Sequence, residues 1–221
     1  MVDAALSIAN YKEDKSFYVW SGTRYARCQY HGQGEEITSG PYDTRSNWSS
    51  FKSAGWGAVG AVIPSPSVQN TFYVFHGAHY MRVSIDPEND IKDSITYGPT
   101  TTASQWKGLV GAGFETVDAG VPDPIDNDNL FFFSGTKTLK LKVSQDKVIW
   151  GPMPIAEGWP SIKKAGFDTI DAIFKMHEDD IFYVFCGDQY ATLKWDGTTW
   201  ATLASGPKLI KDDWKSLKEW V

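Results

Sequence analysis

Four histidines and two cysteines are the side chains of this 221-residue chain that could hold a transition metal or attack a substrate. His76 and His79 stand together in "HGAH", a spacing that could bring two imidazoles to one ion. A closed metal site needs further ligands that converge on it. The stretches around His31 and His177 offer no cysteine pair and no convergent acidic partner. Nucleophilic chemistry has no better footing, because the chain contains no G-x-S-x-G, no H-E-x-x-H, no glycine loop that would cradle a phosphate and no paired cysteine motif. The sequence therefore reads as non-enzymatic. The remaining reactive groups are carboxylates: 27 Asp and Glu stand against 21 Lys and Arg, a net charge of -6 with pI near 5.2. That balance argues against a nucleic-acid backbone as partner and favours cations.

What must position these residues is a repeat. "FYVWSGTRYARC" (17–28), "FYVFHGAHYMRV" (72–83), "LFFFSGTKTLKL" (130–141) and "FYVFCGDQYATL" (182–193) are four versions of one hairpin, with glycines 22, 77, 135 and 187 spaced 55, 58 and 52 residues apart. Upstream of each lies Asp-Ala or a stand-in: Asp3-Ala4, Gly60-Ala61, Asp118-Ala119 and Asp171-Ala172. Downstream come Gly-Pro pairs beginning at 40, 98, 151 and 206, then Trp48, Trp106, Trp159 and Trp214. Each unit has room for four strands: one from the Asp-Ala position, two in the hairpin around a tight turn with glycine at positive φ, and one running into Gly-Pro. A short helical segment carrying the Trp follows, closed by Gly55, Gly113 or Gly166 in the first three units. One such sheet buries little, whereas four packed face to face around an axis bury both faces of each. The expected architecture is an all-β, four-bladed β-propeller filling residues 1–221, with blades at about 1–56, 57–114, 115–167 and 168–221.

The series Asp-Ala, "FYVFxGxxYxR", Gly-Pro, then Trp with a following Ser resembles the hemopexin repeat in all four units. In character the chain is similar to the cytosolic plant seed albumins of the albumin-2 type and to related fungal proteins. The resemblance implies calcium at the axis, held by the backbone carbonyls of Asp3, Gly60, Asp118 and Asp171, where four strand starts aim oxygens at one point. It also implies sodium or chloride deeper in the channel near Ala5, Val62, Gly120 and Ile173. Beyond ions it implies polyamine binding, notably spermine, then haem, and a homodimer. Secreted members close the ring with a disulfide between their ends. Met1-Val2-Asp3 and Glu219-Trp220-Val221 contain no cysteine, so closure here is expected to rest on packing.

Repeat arithmetic places the other residues. Cys28 aligns with Val83, Leu141 and Leu193 on a strand, and Cys186 with Ser21, His76 and Ser134 in the turn, so two free thiols are expected. His76 is then a solvent-facing turn residue. The repeat tryptophans should pack each helical segment on its blade, while one or two of Trp20, Trp56, Trp150, Trp195, Trp200 and Trp220 could serve as exposed stacking platforms. The loops after first and third strands gather Glu13, Asp14, Glu35, Glu36, Asp86, Glu88, Asp90, Asp93, Asp123, Asp126, Asp128, Asp146, Glu178, Asp179, Asp180 and Asp196 on one side of the disc. The helical segments on the other side carry Lys52, Lys107, Lys163, Lys164, Lys208, Lys211, Lys215 and Lys218. An acidic channel mouth would concentrate cations. No run is apolar enough for a membrane span, and the N-terminal residues lack the basic start and apolar centre of a secretory signal, so the cytoplasm is the expected location and the Asn47-Trp48-Ser49 sequon is read as chance. Two functions outside the cation reading stay open: a defence lectin offering shallow glycan pockets, and a storage protein without a ligand.

Overall fold

The computed structural model describes residues 1–7, 16–30, 35–86, 89–176, 180–197, 201–214 and 216–221. His31, His177 and Trp200 lie outside them. The described strands form four sheets of four, each in simple sequential order. The first sheet holds β1 (Ala4–Ser7), β2 (Ser16–Ser21), β3 (Arg24–Tyr30) and β4 (Glu35–Asp43), and the second β5 (Ala61–Pro64), β6 (Thr71–His76), β7 (His79–Asp86) and β8 (Asn89–Thr101). The third holds β9 (Ala119–Pro122), β10 (Asn129–Ser134), β11 (Lys137–Lys142) and β12 (Lys147–Pro154), and the fourth β13 (Ala172–Lys175), β14 (Ile181–Cys186), β15 (Gln189–Trp195) and β16 (Ala201–Leu209). The short innermost strands meet around one axis: β1 touches β5 and β13, and β9 touches the same two. The fold is a four-bladed propeller, each first strand beginning one residue after the Asp or Gly expected to start it.

Sequence pattern follows position in the blade. Second strands are covered on both faces by neighbouring blades, so "FYVW", "FYVF" and "LFFF" run as continuous buried stretches instead of alternating. Outer strands such as β4 and β12 alternate between half-buried and exposed residues. Each hairpin turns through a glycine at φ between 54° and 61°. The Gly-Pro pairs are cis and sit where the third and fourth strands slip register. Only glycine fits that slip in the first blade, since a Cβ at Gly40 would stand 2.9 Å from the Tyr25 carbonyl.

The first three repeat tryptophans each lie between two short helical turns, as Trp48 does between α1 (Thr44–Asn47) and α2 (Ser49–Ala54), and Trp214 follows one. Their rings meet the blade aromatics edge-on, Trp48 against Tyr18 at 5.2 Å and Trp159 against Phe131 at 5.0 Å. The expected packing role of these tryptophans is what the structure shows. The expected stacking platforms are absent among the described residues: Trp20, Trp56, Trp195 and Trp220 are buried, and half-buried Trp150 packs edge-on against Phe131. Inter-blade packing claims these rings because the wedge between blades widens outward and needs bulky filler. Cys28 is buried and Cys186 half-buried, both as free thiols. His76 is exposed but lies against Trp56, ring centroids 5.3 Å apart. Among the described residues no helix is long and apolar enough to cross a membrane.

Ring closure uses more than packing. Phe17 of the first blade stacks on Phe174 of the last at 5.1 Å and meets Trp214 edge-on at 5.7 Å. Polar contacts seal the same seam: Ser216 donates to Glu35 Oε1 from its N–H at 3.1 Å and its hydroxyl at 2.7 Å, and the Arg24 guanidinium lies 5.8 Å over Trp220. The sequence expectation of packing alone is therefore incomplete, because a carboxylate also hydrogen-bonds across the seam.

Candidate functional site

The starts of the inner strands converge on a narrow axial channel too tight to admit a water molecule, lined by Asp118 and Asp171 together with Ala5, Val62, Gly120 and Ile173. Asp3 and Gly60 hold the matching positions in the first two blades. Three of these positions carry carboxylates, and all three do the same local job. The turn N–H of Gly22, Gly135 and Gly187 donates to Asp3, Asp118 and Asp171 Oδ2, each at 2.6 Å. Burial raises the Asp171 carboxyl above its ordinary value. The Asp3 and Asp118 carboxylates push the same way, and the Gly187 N–H pulls against them. The blade turns thus hold three negative groups near one axis, where they repel one another. Gly60 leaves the fourth quadrant without a carboxylate, although a Cβ there would meet nothing nearer than 3.4 Å.

No group of three or more His, Cys, Asp or Glu among the described residues lies close enough to chelate an ion through side chains alone. An ion on this axis would depend on backbone oxygens, with the carboxylates supplying field. His79 faces His76 across the hairpin, and both are exposed.

The opposite end of the channel, about four residues or 13 Å along the strands, opens into a cavity of about 550 Å3. The strand ends Ser7, Pro64, Pro122 and Lys175 form its throat, and the segment Ser65 to Thr71 of the second blade forms one wall. This is the side expected to be acidic, yet among the described lining residues none is a carboxylate. Glu13, Asp14, Glu88, Glu178 and Asp179 lie outside the described residues, Asp180 pairs with the lining residue Lys175, and four other acids of this face are engaged away from the cavity. Asp123 pairs with Lys140 at 2.7 Å and Asp128 with Lys142 at 3.7 Å. Buried Asp93 accepts from the Ser49 and Ser50 N–H groups, and Asp146 from Gly108 N. Repeat arithmetic missed these pairings because each joins positions on neighbouring strands or blades.

Geometry and topology together define a four-bladed propeller of hemopexin type. No protein-family model matches the chain. Its sequence relatives are seed albumins: Albumin-2 of Pisum sativum is 28% identical over 135 residues, 59% of this chain and 58% of the pea protein's length. Albumin-2 of Lathyrus sativus is 23% identical over 207 residues, 91% of this chain and 90% of its own length. Among solved structures, a Cicer arietinum albumin described as showing hemagglutination superposes with a TM-score of 0.89 at 20% identity, over 100% of this chain and 98% of its own. A Cicer arietinum lectin with two metal binding sites gives 0.87 at 22% identity, over 100% and 98%. A hemopexin-fold protein from cow pea gives 0.87 at 21% identity, over 99% and 97%.

Proposed function

We propose that the protein is a non-catalytic binding propeller of the seed-albumin kind whose axial channel holds a metal cation. Calcium would rest on the backbone carbonyls of Asp3, Gly60, Asp118 and Asp171, with sodium or chloride deeper beside Ala5, Val62, Gly120 and Ile173. The observation that carries this reading is the gathering of three carboxylates at the narrow end of the channel, where burial first and the Asp3 and Asp118 charges after it raise the Asp171 carboxyl above its ordinary value. A cation there would replace mutual repulsion by attraction. The two metal sites of the Cicer lectin support it. The same reading puts the protein in the cytosol as a homodimer.

Spermine is the rival occupant of this end, since its ammonium groups answer the same carboxylates. A glycan-binding role is favoured by the haemagglutination of the Cicer albumin. Haem is less well served, because no His, Cys, Met or Tyr stands among the described residues lining the wider cavity. Calorimetric titration of EDTA-treated protein with calcium and with spermine, at low and high salt, tests the proposal. Saturable one-to-one calcium binding with a raised melting temperature supports it. Calcium without effect beside salt-sensitive spermine binding would replace the metal by the polyamine. A haemagglutination assay with sugar inhibition tests the glycan role separately.

A further inference from the structure

The cavity at the wide end of the channel has a chemistry of its own. Its volume of about 550 Å3 falls within the range of small-molecule sites, about 300 to 1,000 Å3. The lining is mainly apolar, with Leu6, Pro66, Val121 and Phe174 contributing. Val68 on the wall and Ile125, beside the lining residue Pro124, are two of the large apolar side chains left exposed, at 49% and 61%. One charged side chain interrupts this surface. Lys175 is the one charged residue among the described lining, and its ammonium meets exposed Asp180 at 3.5 Å, leaving donors to spare.

We propose that this cavity binds a small apolar molecule bearing one anionic group, the anion facing Lys175. This charge preference is opposite to that of the carboxylate end. The inference stands apart from the metal reading, since the two sites lie at opposite ends of the inner strands.

8-Anilino-1-naphthalenesulfonate has an apolar body and one sulfonate, so its fluorescence serves as the probe. With EDTA present, the native full chain should bind one equivalent, and indole-3-propionate should displace it whereas tryptamine, the cationic counterpart, should not. Lys175→Gln should weaken binding about fivefold, as expected for a partly exposed ion pair. Val68→Asp changes an exposed residue that the fold tolerates and should weaken it at least as much. Binding that neither substitution alters, or equal displacement by tryptamine, would overturn the assignment. Loss of binding on EDTA treatment would count against two separate sites.

Discussion

Asp171 has two tasks that pull apart: it caps the Gly187 turn and it faces two like charges. A carboxyl whose proton affinity is raised in the fold costs stability when ionised, and that cost is relieved as pH falls through its raised folded value. Asp171→Asn keeps an oxygen for the Gly187 N–H and removes the charge. In EDTA at pH 7 the variant should melt no earlier than the native protein, with the difference closing toward pH 4. In calcium it should lose much of the gain the native protein shows. A variant that melts earlier at pH 7 without metal would mean that the charge itself stabilises the turn. The cysteines give a second test at this scale. Burial first, and Glu35 second, push the Cys28 thiol up to about 12, and burial also raises Cys186. A disulfide reagent at pH 8 should leave Cys28 unreacted in the native state and modify it in denaturant, while reductant should leave the melting temperature unchanged. Rapid native labelling of both thiols would contradict the burial.

At the scale of elements, α1 is capped by its own Asp43, whereas α2 borrows its cap. Trp48 precedes α2 without a side-chain cap, and Asp93 of the next blade supplies one, bonding Ser49 N at 2.8 Å and Ser50 N at 2.6 Å. Asp93→Ala leaves the buried Ser50 N–H and the part-buried Ser49 N–H unpaired, a cost of about 2 kcal/mol, or a drop in melting temperature of roughly 4–8 °C for a chain of this length. Asp93→Asn should recover part of the loss. An alanine variant as stable as the native protein would show that the clasp adds nothing to blade packing. Such pairings explain what the sequence could and could not reveal. The hairpins were legible because glycine, aromatic run and Trp recur at nearly constant spacing, and a recurring residue announces its place. Asp93 does not recur at constant spacing: it stands 16 residues after its hairpin glycine, whereas Glu35 and Asp146, which perform related clasps against Ser216 and Gly108, stand 13 and 11 after theirs. The axial aspartates were visible as a register but not as turn caps, since the Gly N–H they accept from is 16 to 19 residues away. The wide cavity was hidden because its wall, "SPSVQNT", belongs to one blade alone.

For the whole molecule, a ring of four blades has one seam where the chain's ends must meet, and the kind of force at that seam decides how the propeller opens. Phe17 is fully buried there between Phe174 and Trp214, in a cluster that also holds Val2, Cys28, Leu217 and Trp220. The Glu35 clasp lies nearby but is half-exposed. Removing a buried aromatic ring costs about 3–5 kcal/mol, whereas losing a partly solvated hydrogen-bond pair to a carboxylate costs about 1–2 kcal/mol. Phe17→Ala should therefore lower the urea midpoint by more than Glu35→Ala. The two substitutions together should fall short of additivity, because the C-terminal segment that both hold would already be loosened by the first. The measurement is a double-mutant cycle by urea unfolding. A Glu35→Ala loss equal to or larger than that of Phe17→Ala would make the clasp, and not the aromatic packing, the main closure of the ring.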